Sequence, residues 1–276
     1  MPANSNRFNR FLLILLSQLT LAGPALAALP ALSDSELQSL GERIYANECN
    51  QRFECLVSWN AGEDFPSLGI GHFIWYQQGQ QELFEETFPA LLDYLQQRGV
   101  ALPAWLSAAD EADSPWTSRE QFLAAADSEK MGQLRQFLYD SRAWQSAFIA
   151  ERLQHSLPEL LAAVPESRRP ELQRRFMSLA NTAPPYGLYA LIDYVHFKGS
   201  GLSPGERYQG QGWGLLQVLE EMPAEASLEN FVTSADAVLS RRVANAPPAR
   251  NEQRWLAGWR ARLQTYLPAS GSLQSP

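Results

Sequence analysis

The densest run of reactive side chains lies between residues 47 and 76, "NECNQRFECLVSWNAGEDFPSLGIGHFIWY". It carries the carboxylates Glu48, Glu54, Glu63 and Asp64, a hydroxyl at Ser67, an imidazole at His72 and the cysteines Cys49 and Cys55. Two carboxylates facing each other across a cleft are the working parts of glycoside cleavage. One protonates the leaving oxygen, and the other directs a water or supports the oxocarbenium-like transition state. An acid at the C-terminal end of a helix suits the first role, because partial burial and the negative end of the helix dipole both favour a protonated carboxyl. A carboxylate in a hairpin turn suits the second, since the turn projects across a cleft.

The surrounding pattern supplies such elements. Ser33-Asp34-Ser35-Glu36 is a helix start, with Leu37, Leu40 and Ile44 following at helical spacing. The apolar pattern lapses after Tyr45, which predicts a helix end near Glu48. Cys55 to Trp59 reads as an outgoing strand, Asn60 to Asp64 as a turn and Leu68 to Tyr76 as a returning strand. Beyond it the spacing predicts helices near 81–98, 118–140, 141–156, 168–180, 186–197, 211–221, 227–244 and 249–266. Pro103, Pro115, Pro158, Pro165 and Pro204 fall between or at the starts of these segments. The expected fold is α+β and mainly α, with a small β-hairpin lobe (about 54–76) inserted after the first helix of a helical lobe (about 77–268). Residues 269–276 read as a polar tail.

Bulk properties narrow the function classes. Arg7 and Arg10 precede an apolar run, Phe11 to Ala22, and then Ala25-Leu26-Ala27. Such an arrangement predicts an export signal removed after Ala27, and the run is too short to span a bilayer. The expected location is the periplasm, with no membrane span after cleavage. The chain carries a net charge of −8, and loss of residues 1–27 removes two arginines and no acid. That balance excludes a basic nucleic-acid stripe and strong capture by anionic surfaces. The histidines His72, His155 and His196 are scattered without metal-ligand spacing, so neither a metal nor an organic cofactor is implied. Cys49 and Cys55 either form a disulfide or stay as buried thiols. The bond requires the chain to break between them, because cysteines six apart on one helix point in different directions.

Helix, glutamate, hairpin and "SLGIGH" together resemble the lysozyme superfamily, and within it the phage-type lysozymes. "ALIDYVHFKGSG" (190–201) is similar to that family's central helix and its exit turn. "NAPPAR" (245–250), followed by Trp255 and Tyr266, is similar to its closing helical segment. The resemblance covers 34–76 and 186–266, and residues 77–185 have no counterpart in it. It implies a catalytic glutamate after the first helix, at Glu48 or Glu54. Spacing back from "GIGH" favours Glu54. The lapse of the helix pattern favours Glu48, as does the likeness of Glu48-Cys49 to the Glu-Ser pair of lytic transglycosylases. The resemblance also implies that Arg250 lies beside the glutamate, and that Ser67 stands where phage-type lysozymes position water with a threonine.

The substrate-binding candidates are His72, Gln211, Trp213 and Arg250, with Gln211 and Trp213 set among glycines in "GQGWGLLQ". The implied partner is peptidoglycan or a related polysaccharide, cleaved at β-1,4 linkages by hydrolysis or, if the glutamate acts without a second carboxylate, by transglycosylation. A glycan-binding protein without activity and a chitosanase-like hydrolase are the alternatives; the second would suit an acidic cleft.

Overall fold

The computed structural model describes residues 29–80, 84–107 and 113–268; the expected signal (1–27) and tail (269–276) lie outside the described residues. The chain is mainly helical, 62% helix against 4% strand. The first helix, α1 (Asp34–Cys49), starts with a capping box. The Ser33 hydroxyl accepts the Glu36 amide, and the Glu36 carboxylate accepts the Ser33 amide at 2.7 Å. It ends where Asn50 and Gln51 turn left-handed, with φ of 48° and 57°.

A three-stranded antiparallel meander follows: β1 (Val57–Ser58), β2 (Ser67–Leu68) and β3 (Phe73–Ile74), in register Val57 to Leu68 and Leu68 to Phe73. The expected outgoing strand is therefore shorter, because Phe53–Leu56 wind into a 3-10 turn. The returning strand is split in two by the Gly69–His72 turn. Gly69 has φ +67°, and a Cβ there would collide with the amide oxygen of Gln145.

The helical remainder comprises α2 (Phe88–Gln97), α3 (Ala104–Ser107), α4 (Arg119–Ala124), α5 (Glu129–Asp140), α6 (Arg142–Ala162), α7 (Arg169–Ala180) and α8 (Tyr186–Lys198). A small ribbon follows, β4 (Arg207–Tyr208) with β5 (Gln211–Gly212), and then α9 (Leu215–Glu221), α10 (Leu228–Asn245) and α11 (Gln253–Gln264). The ribbon corrects the expected helix over 211–221, which begins only at Leu215. The expected helix 118–140 is broken where Ser128 caps α5 through the Met131 amide. Pro158 corrects the punctuation reading, for it sits inside α6. The helix runs through it with Leu153, Leu157 and Leu160 buried on either side, each such burial worth about 1.5–3 kcal/mol.

Two contacts fix α1 and the sheet against this frame. Gly41 lets α1 press onto the start of α6, where a Cβ would lie 2.8 Å from the Arg142 carbonyl. Gln145 of α6 is fully buried. Its oxygen accepts the Ile70 amide at 2.9 Å, and its nitrogen donates to the Leu138 carbonyl at 2.6 Å and to Ser141 Oγ at 2.9 Å. Residues 77–185 give the sheet an aromatic backing. Trp75 packs on Phe88 (ring centroids 4.7 Å apart) and on Trp116, which meets Phe122, which in turn meets Trp59. No helix among the described residues is long and apolar enough to cross a membrane.

Candidate active site

The end of α1 delivers Glu48 to the junction of the sheet, α8 and α11. Its side chain is 11% exposed; Oε1 accepts a hydrogen bond from Arg262 Nη2, and Oε2 lies 3.7 Å from His196 Nε2. Arg262 is itself held by Asp193 of α8, through Nε to Oδ2 at 2.9 Å and Nη2 to Oδ1 at 2.8 Å. Asp193 is 1% exposed and also accepts from the Tyr266 hydroxyl at 2.6 Å and from Asn47 Nδ2 at 3.1 Å. Buried charges survive only when paired and hydrogen-bonded in this way.

Burial alone would pull the Arg262 guanidinium down, but the bonds to Asp193 and the charges of Asp193 and Glu48 outweigh it and hold its pKa above the ordinary range. Burial, then the Asp193 charge, push the Tyr266 phenol well up and the Tyr189 phenol to about 12. Both therefore stay protonated; Tyr266 donates to Asp193, while the Tyr189 oxygen receives Asn47 Nδ2 at 2.5 Å.

Across from Glu48, the turn between β2 and β3 presents His72 in a left-handed conformation, φ +48°. Its Nε2 is buried without a hydrogen-bond partner. Burial pushes its pKa down, the Glu48 carboxylate opposes this, and His196 adds to the lowering. The two imidazoles stand edge to face with centroids 5.8 Å apart, and His196 is the more open, its side chain 35% exposed. Beside His196 runs a groove of about 400 Å³ lined by Gly71, Phe73, Thr87, Arg152 and Ile192.

The remaining candidates are placed as follows. Glu63 is half-buried on the sheet's first turn, where its carboxylate accepts from Asn60 at 3.1 Å, its backbone carbonyl accepts from Trp59 Nε1 at 2.7 Å, and its charge acts on His72. Asp64 is exposed beside it. Ser67 is buried in β2. Glu54 is exposed on the 3-10 turn, outside the network around Glu48, and its charge acts instead on Tyr45. Cys49 and Cys55 are joined by a disulfide with a Cα separation of 5.4 Å, spanning the break after α1.

Arg250 is not beside the glutamate: its Nε pairs with Glu252 Oε1 at 3.1 Å, and the cation that reaches Glu48 is Arg262. Nor does the glycine-flanked run open onto this site. Trp213 is buried against Tyr208, centroids 4.6 Å apart, with the Arg242 guanidinium 4.1 Å over its ring. Gln211 is exposed and accepts from Asn245 at 3.4 Å.

Three residues of the site escape the sequence reading: Asp193 and His196 share one face of α8, three apart, and Arg262 belongs to α11. Lys198 ends α8 outside this cluster. Burial, then Arg242, push the Lys198 ammonium down to about 7 as it lies 3.4 Å over the Trp259 ring. A lone acid inside the apolar run 186–195 was the available signal, for such a residue needs a buried cationic partner. Comparison of the chain with protein-family models, with characterised proteins and with solved structures finds no match.

Proposed function

We propose that the protein is an exported, lysozyme-like enzyme that cleaves β-1,4 linkages of peptidoglycan with Glu48 as its general acid. The observation that carries this reading is the state of the Glu48 carboxyl. One oxygen is fixed by Arg262, and the other faces His196 at the edge of the groove. A reacting proton on Oε2 would then have a defined direction, which a freely rotating carboxyl lacks. Glu48 hands this proton to the glycosidic oxygen as the C–O bond breaks, and its carboxylate is left to face the developing positive charge. Glu63, on the turn of the sheet, directs the water that attacks, assisted by the Ser67 hydroxyl. Without that water, the muramic acid hydroxyl attacks and an anhydro sugar results.

Two further features support export and the wall as the substrate's location. The amino-terminal pattern of Arg7, Arg10, an apolar run and Ala25-Leu26-Ala27 matches a removable signal, and a disulfide persists in an oxidising compartment. The net negative charge favours release from anionic wall polymer between cleavages over tight adhesion.

The test is mass spectrometry of the products after incubating purified protein with isolated sacculi and, in parallel, with chito-oligosaccharides. Reducing-end muropeptides support hydrolysis, and anhydro ends support transglycosylation. Cleavage of chito-oligosaccharides alone, or of neither substrate, overturns the proposal.

A further inference from the structure

We infer that Glu48, His72 and His196 form a binding site for a divalent transition-metal ion of the zinc class. One ligand atom from each of the three lies within 4.8 Å of the other two, and Glu48 Oε2 and His196 Nε2 are 3.7 Å apart. A tetrahedral ion with bonds of about 2.0–2.2 Å wants neighbouring ligands roughly 3.4 Å apart. Small side-chain rotations close that gap. The residues come from α1, the sheet turn and α8, so the sequence spacing of the histidines gives no hint of the cluster.

His72 supplies independent evidence. Its Nε2 is buried and unpartnered, whereas buried polar atoms are almost always satisfied by protein, water or an ion. The backbone also holds residue 72 in a left-handed conformation, and the ring stands edge to face against His196. A bound cation is the partner that such a nitrogen lacks.

The charge balance is favourable. Glu48 and Asp193 bring two negative charges and Arg262 one positive, leaving a net negative site faced by the further charge of Glu63. Arg262 is engaged by Asp193 and by Glu48 Oε1, so it orients the carboxylate while Oε2 stays available, an outer-sphere role that ligating carboxylates commonly have. The donor set of two imidazoles and one carboxylate suits zinc and its neighbours, whereas magnesium and calcium prefer all-oxygen shells. The Cys49 and Cys55 sulfurs also lie near His72, but they are bonded to each other. The partly exposed edge at His196 gives an entry path and leaves the fourth position to water.

Occupation of Glu48 Oε2 by a metal would withhold that oxygen from a glycosidic bond, so zinc would inhibit the cleavage proposed above. That consequence rests on the proposed function; metal binding does not.

The experiment is calorimetric titration of the purified protein with zinc sulfate, with cobalt(II) absorption as a second readout of tetrahedral nitrogen and oxygen ligation. The expected result is one equivalent of zinc bound, weakened more than about tenfold in His72→Gln and in His196→Gln. His155→Gln, at an exposed position on α6, should bind as the unaltered protein does. His196→Gln lies at an open surface position and keeps the test valid if the His72 variant fails to fold. Absence of binding, or undiminished binding in His196→Gln, overturns the site. Zinc binding without glycan cleavage supports the site and counts against the enzyme alone; cleavage without zinc binding does the reverse.

Discussion

Arg262 donates to Glu48 across 214 positions of sequence, and the same guanidinium is clamped by Asp193 in two bonds. A surface arginine paired with a surface glutamate would be worth little. Here the pair is largely withdrawn from water and its geometry is fixed on both sides, so the arginine sets where the carboxylate points.

The first expectation concerns Glu48 itself. Glu48→Gln keeps the shape and a hydrogen-bond acceptor for Arg262 but removes the transferable proton. Clearing of sacculi, followed by turbidity, should fall by about 10²–10⁴-fold. Glu54→Gln, at an exposed position away from the network, should clear at the unaltered rate. Full activity in the first variant would reject Glu48 as the acid.

The Asp193–Arg262 pair should dominate local stability. Arg262→Met leaves Asp193 buried without its cation, at a cost of about 3–5 kcal/mol in urea unfolding. Replacing both, as Arg262→Met with Asp193→Asn, should cost less than the two single changes added together, because the residues share one network. Simple additivity would mean that the pair is not coupled.

Removing the disulfide as Cys49→Ala with Cys55→Ala releases a short loop, and roughly 2 kcal/mol of stability should go with it. Glu48 immediately precedes Cys49, so activity should fall further than thermal stability predicts. A variant that loses stability and keeps its full rate would separate the bond from the placement of Glu48.

Glu252 gives the acid limb of stability. Burial opposes its charge, but bonds from Arg242, Tyr208 and Arg250 outweigh this and hold its carboxyl below the usual 4.5. A depressed folded-state pKa adds stability above the unfolded value and loses it as pH falls through the folded one. Glu252→Gln should therefore be clearly less stable than the unaltered protein at pH 7. The difference should shrink as the pH drops below about 4.5, as read by thermal denaturation across a pH series. A constant difference would show that Glu252 acts by shape alone.

What could be read from the sequence follows the range of each interaction. The start and end of α1 were legible because Ser33, Glu36, Leu40 and Ile44 act within a few residues of one another, and so was the cluster holding Glu48 and His72. The strands are shorter than the pattern predicts, because each contributes only two residues to the sheet, too few for alternation to mark. The turn of the sheet is set by Gln145, a polar residue in a helix that nothing local marks as buried. Arg250 was matched by motif, while Arg262 depends on where α11 crosses α8, and that crossing is written in packing spread over the whole chain. The role of residues 77–185 as backing for the sheet depends on Trp105 and Trp116 meeting Trp75, a long-range contact that local spacing does not encode.

The contact of Arg262 with Glu48 also has a consequence for the order in which the protein comes into being. Synthesis runs from the amino terminus, so Glu48, His72 and the sheet emerge long before α11. Until α11 docks, the Glu48 carboxylate lacks the Arg262 cation that aims it, and Asp193 lacks that same charge to offset its own. The cluster around Glu48 is completed only by α11, and a ribosome-bound or truncated chain that lacks α11 would carry the Glu48 carboxylate unaimed.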